Sequence, residues 1–140
     1  VSDIVNELLE INQRLLDAIA AGDWAVYTEL CDESLTAFEP EAKGHLVTGL
    51  EFHRIYFDLP RPVAPPTSTM QSPQVRLLGD DVAVVTYVRL VQRVIASGEG
   101  YGASASTPSR VETLATEETR VWQRQDDRWR HVHFHRSAVR

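Results

Sequence analysis

The sequence predicts an α+β fold in which a strongly curved antiparallel sheet wraps around a long leading helix. Three observations predict it. Apolar residues recur at spacings of three and four through residues 2–21, the pattern changes after Thr67 to β-rich runs of period two, and the helical segments all precede the long strands. At 140 residues the chain suits a single domain over residues 1–140, long enough to bury a core and too short to hold a second one such as a kinase.

Ile4, Leu8, Ile11, Leu15 and Ile19 form the apolar stripe of the first helix, and Val5, Leu9 and Leu16 widen it. Gly22 can take the left-handed conformation that stops this helix, and Asp23 can accept hydrogen bonds from the free N–H groups of a second. Trp24, Tyr27 and Leu30 then share one face, and Cys31 ends the second helix as a small buried residue. A third helix is predicted to begin at Thr48, whose hydroxyl makes a capping box with Glu51 while Val47 and Phe52 form a hydrophobic staple. Pro60 ends it, and Pro62, Pro65 and Pro66 keep the following segment extended.

Strands are predicted at about residues 67–78, 82–96, 112–125 and 128–138, joined at Gly79–Asp81 and Asp126–Asp127 and running as antiparallel neighbours. Residues 97–110, rich in Gly, Ser and Ala, are expected to form a flexible hairpin tip. Alternation puts Val82, Val84, Thr86, Val88 and Leu90 on one face of their strand and Val85, Tyr87, Arg89 and Val91 on the other. Neither face is plainly solvated. One can pack on the helices, and the other is either a subunit interface or covered by the third helix and the loops.

Hydrophobic residues at 43% and charged residues at 24% are ordinary globular usage, and no apolar run is long enough to cross a bilayer. The formal net charge of -6 repels nucleic-acid phosphates and anionic lipid, so neither nucleic acid nor membrane is an expected partner. Any bound anion must be held by a local basic cluster. Cys31 is the single cysteine, which excludes an internal disulfide framework, and the N-terminus lacks the basic-then-apolar layout of a signal peptide. The cytoplasm is the expected compartment, and no cofactor is expected.

Arg89, Arg120 and Arg136 each fall on an inward parity of a central strand. Arginine does not shed its charge, so three guanidinium groups converging on one cavity need acidic side chains, carbonyls or a bound anion. A carboxylate pocket is one reading. Structural ion pairs with Glu117, Glu118 or Glu39 are the other. His53, followed one turn later by Tyr56, could act as a general acid or base or be a hydrogen-bonded core group. His131, His133 and His135 alternate along one strand and are expected to face the same way, about 7 Å apart per step, which suits an interface better than a zinc site.

The segments LTAFEPEA (35–42), FHRIYF (52–57), LLGDDVAVVTYVRL (77–90), EETRVWQRQDDRW (117–129) and HVHFHRS (131–137), together with AGDWAVYTELCD (21–32), closely resemble the association, or hub, domain of calcium/calmodulin-dependent protein kinase II or a free-standing homologue of it. The resemblance implies the nuclear-transport-factor-2-like cone and self-assembly into two stacked rings, a dodecamer, tetradecamer or larger, that cluster attached or partner kinase domains. It implies no catalysis by the hub itself. It also implies a ligand-binding pocket for small carboxylates, a regulatory segment or other peptides, lined by Arg89 in YVRL, Arg120 in ETRVW, Arg136 in HFHRS and His53 in FHR. Tyr56 completes the expected set. The alternative function is an isomerase or dehydratase of the same fold that uses His53.

Overall fold

The computed structural model describes residues 2–61, 64–95 and 110–139. The first helix, α1 (Ser2–Ala21), stops where Gly22 takes a φ of 70°, and the Asp23 carboxylate then caps α2 (Trp24–Leu30) by accepting from the Val26 N–H at 3.1 Å. The chain passes directly into β1 (Cys31–Phe38), a 3-10 turn (Pro40–Ala42), β2 (Val47–Thr48) and α3 (Glu51–Asp58). Four long strands follow: β3 (Thr67–Leu77), β4 (Val82–Ile95), β5 (Arg110–Gln125) and β6 (Arg128–Ala138). They form one sheet of order β2-β1-β6-β5-β4-β3, antiparallel throughout except for the parallel pair β1–β6.

Two expectations for the first half are corrected. Cys31 does not merely end α2; it is also the first residue of β1, a strand the sequence pattern does not announce. Thr48 does not cap α3 either. It lies in β2 opposite Thr36, and α3 starts at Glu51 with Leu50 at its N-cap and no side-chain cap bond. Strand pairing claims the backbone that the capping box would have used.

The long strands sit close to their expected bounds, and the Asp126–Asp127 turn has both residues at positive φ, 50° and 62°, as a two-residue hairpin of the right twist requires. β3 is one edge of the sheet and β2 the other. β3 is the long edge strand. It bulges between Gln71 and Gln74, where Ser72 has a φ of 51° and Pro73 has no N–H to give the ladder. The expected hairpin tip at 97–110 and Pro62 fall outside the described residues, save for Arg110, the first residue of β5.

Registered rows across β4, β5 and β6 define the two faces. Ala83–Trp122–His131, Val85–Arg120–Phe134 and Tyr87–Glu118–Arg136 form the inner face, and Val84–Val121–His133, Thr86–Thr119–His135 and Val88–Glu117–Ser137 the outer. A bulge at Val132, between the pairs Val121–His133 and Trp122–His131, reverses the parity within β6. The expectation that His131, His133 and His135 face one way is therefore wrong: His131 is buried in the core, and the other two lie on the outer face around Phe38. Glu117 also lies outside, remote from the arginines.

Leu8, Leu15 and Leu16 of α1 are fully buried in a core that includes Val85, Trp122, Trp129 and Phe134. Each such leucine contributes about 2 kcal/mol of transfer free energy. The Trp122 indole N–H donates to Asn12 at 3.0 Å and the Gln13 carboxamide donates to the Ser68 carbonyl at 2.9 Å, which fixes the rotation of α1 over the sheet. Among the described residues no helix is long and apolar enough to cross a membrane.

Candidate functional site

The open end of the sheet, α1 and α3 enclose a cavity of about 220 Å³. Arg89, Arg120 and Arg136 all line it, from β4, β5 and β6, together with His53 and Tyr56 from α3. Every ligand-binding residue expected from the sequence is thus brought to one place. Tyr27, Glu39 and Glu41 join them, and Phe57, Phe134 and Ile19 supply the apolar wall.

Glu118 neutralises the floor. Its buried carboxylate accepts from Tyr87 Oη at 2.6 Å, Arg120 Nη2 at 3.0 Å, Thr116 Oγ1 at 3.1 Å and Arg89 Nη1 at 3.4 Å. Burial alone would raise this carboxyl, but the charges of Arg120 and Arg89 and the Tyr87 and Arg120 hydrogen bonds pull it from 4.5 down to about 2. Arg120 is fully enclosed. Its guanidinium lies 4.5 Å over the Phe134 ring and also donates to Tyr87 Oη at 2.8 Å. Burial works to strip its proton, yet Tyr87 and Glu118 hold its pKa above the ordinary value. Burial pushes Tyr87 up to about 12 against the opposing charge of Arg120. Arg89 divides its donors between Glu118 and Ser68 Oγ, the latter at 3.2 and 3.3 Å. Burial holds its pKa below the usual range.

His53 is held at both nitrogens, by Glu39 Oε2 at 2.6 Å from Nε2 and by Tyr27 Oη at 3.1 Å from Nδ1. A carboxylate can only accept, so Nε2 carries the proton, and the neutral ring is satisfied when Nδ1 accepts from the Tyr27 hydroxyl. Tyr56 reaches the other Glu39 oxygen at 3.4 Å, and burial, with Glu41 and Glu39 nearby, raises its phenol to about 12. At the mouth Arg136 donates to Glu41 Oε1. Partial burial works to raise the Glu41 carboxyl, but this hydrogen bond and the Arg136 charge leave it below its ordinary value.

The ion-pair reading of the arginines is met in part. Glu118 pairs with Arg89 and Arg120 as expected; Glu39 is buried but bonds His53 and Tyr56 rather than an arginine, Glu117 lies on the other face, and Glu41 takes a place that residue patterning does not announce. The only signal for Glu41 is its position two residues after Glu39 on the same short turn. Among the described residues no group of three or more His, Cys, Asp or Glu side chains could hold a metal ion. Cys31 lies 3.4 Å from His131 Nδ1, but burial pushes its thiol up to about 12, so it is an unreactive core group.

Comparison with known proteins identifies the family. Residues 5–140 match the model of the calcium/calmodulin dependent protein kinase II association domain. The chain is 43% identical over 134 residues to the delta subunit of calcium/calmodulin-dependent protein kinase type II from Oryctolagus cuniculus, covering 94% of this chain and 23% of that subunit. It thus spans about a quarter of the length of the curated relatives it matches. The hub homology domain of C. reinhardtii superposes with a TM-score of 0.81 at 45% identity, covering 98% of this chain and 99% of that one. A nuclear transport factor 2-like protein from Salmonella enterica, 18% identical, superposes with a TM-score of 0.72 over 99% of this chain and 93% of its own, which shows the shared fold. By its sequence over residues 5–140 and by its cone-shaped fold, the chain belongs to the calcium/calmodulin-dependent protein kinase II association domain family.

Proposed function

We propose that the chain is a self-associating hub: copies assemble through their sheets into a two-ring particle, a dodecamer, tetradecamer or larger, that organises attached or partner kinase domains. The observation that carries this reading is the far end of the β4–β5 pair, which keeps apolar side chains in water on both faces. Val94 and Val111, direct partners on the outer face, and Leu114 on the inner are each at least half exposed. The outer face continues as Val84, Val121 and Val88, all partly accessible, to Phe38 and its two histidines. Exposed apolar side chains gathered on a sheet face mark an interface. At about 25 cal/mol per Å² of apolar area, a second copy covering it offsets the freedom lost on association.

The role of such a particle is effective concentration. Kinase domains tethered around one ring meet one another far more often than free ones, which favours phosphorylation between subunits. The cavity is the hub's ligand pocket, for a small carboxylate or an acidic or regulatory peptide segment. In it Arg136 takes the carboxylate at the mouth, Arg89 and Arg120 supply the positive floor, and His53 and Tyr56 offer polar contacts opposite the apolar wall.

The isomerase or dehydratase reading would use His53 and Tyr56 in the same cavity. The geometry favours the scaffold, because Glu39 and Tyr27 occupy both His53 nitrogens and neither is free to take a proton from a substrate. Sedimentation velocity on the purified chain across micromolar dilutions tests the assembly. One large species is expected; a lone monomer at every concentration contradicts it.

A further inference from the structure

The three carboxylates of the cavity are not equivalent. Glu118 and Glu39 have side-chain exposures of 0% and 1%, and each is held by two or more donors. Withdrawing Glu118 would leave buried cations unpaired, and withdrawing Glu39 would leave the buried His53 N–H without an acceptor; both are costly. Glu41 is different. Its side chain is 41% exposed, its cavity partner is Arg136 alone, and Arg136 is itself 19% exposed, whereas Arg120 is 2% exposed. Glu41 also rides on a three-residue turn, followed by Lys43 and Gly44 at φ values of 51° and 88°, with nothing packed within 4 Å of where a Gly44 side chain would begin. With Glu39 and Ala42 buried on either side of it, Glu41 can leave Arg136 by side-chain rotation alone.

We propose that Glu41 is a carboxylate built into the chain that occupies the anion-binding end of Arg136, and that a carboxylate ligand enters the pocket by displacing it. The inference rests on the pocket reading above and says how that pocket is regulated. The exchange trades one charge-assisted hydrogen bond at Arg136 for another, and the gain comes from the ligand's stem packing on Phe57, Phe134 and Ile19. A partly exposed ion pair costs little to break, so the closed form outweighs the open one only a few-fold, and apparent ligand affinity is reduced by that factor.

The test measures the Kd of propionate, and in a second arm of a blocked glutamate-containing peptide, by ligand-observed NMR on the assembled protein. Whichever source of carboxylate binds the wild type, Glu41→Gln tightens it by about fivefold, and Arg136→Ala abolishes it. Glu117→Gln removes the same charge from the opposite sheet face and leaves Kd unchanged. Native mass and melting temperature equal to wild type show that Glu41→Gln is folded. If the wild type binds and Glu41→Gln binds equally or more weakly, or if Glu117→Gln tightens binding as much, displacement is wrong and the pocket reading survives. If wild type and Glu41→Gln both fail to bind either probe, the pocket reading falls and takes the displacement with it.

Discussion

The Trp122 indole N–H donates to the Asn12 side-chain oxygen at 3.0 Å, and both side chains are fully buried although 110 residues separate them in the chain. Asn12 is a polar residue inside the apolar stripe of α1, and this bond explains its place. Asn12→Ala strands the indole N–H and opens a small cavity, so unfolding free energy falls by about 2 kcal/mol. Urea denaturation followed by tryptophan fluorescence reads the change.

Glu118 is the shared counter-charge of Arg120 and Arg89. Replacing it with Gln leaves two buried guanidinium groups without an anion and costs about 3–5 kcal/mol. Glu117→Gln, one residue away with its side chain exposed on the outer face, changes protomer stability by less than about 0.5 kcal/mol. The pair of melting curves checks this directly.

Acid destabilises the fold in two stages. Burial, reinforced by the charge of Arg120, keeps His131 neutral well below 6.5. The unfolded chain therefore takes up that proton first, and stability falls as pH drops below about 6.5. Glu118 has its folded pKa depressed from 4.5 to about 2, so its contribution is fully present above 4.5 and lost as pH falls from there toward 2. The second loss is on the order of 3 kcal/mol. Denaturant midpoints measured against pH resolve the two limbs, and His131→Gln shrinks the upper one, leaving the part that His133, also held below 6.5 by burial, contributes.

A carboxylate in the pocket binds the folded state only, so millimolar propionate raises the melting temperature. Arg136→Ala and Arg89→Ala each remove that rise. An unchanged melting curve for the wild type contradicts the pocket reading, while chloride at equal ionic strength controls for simple screening.

Much of this was legible in the residues. The four long strands follow from period-two alternation between clear turn signals at Gly79–Asp81 and Asp126–Asp127, and α1 from its stripe, as local pattern and tertiary structure agree there. β1 was hidden because Asp32, Glu33 and Ser34 interrupt the alternation between Cys31 and Leu35, and no Gly or Pro separates it from α2. The capping box at Thr48 was chemically sound but lost to pairing with Thr36. The bulge at Val132 leaves no local mark, so the histidine row was misread. The arginines stand out because inward charge on a central strand is anomalous, and His53 through its FHR segment on the third helix, whereas Glu41 comes to Arg136 through chain folding across 95 residues, a proximity that periodicity does not encode.

The account turns on whether copies of this chain cover one another's apolar sheet. Native mass spectrometry of the purified chain at micromolar concentration tests that most directly. The account predicts ions at a high multiple of the 15.8 kDa protomer, consistent with a closed ring of twelve or more copies. A spectrum holding only the 15.8 kDa species, from protein that is folded by circular dichroism, would contradict it.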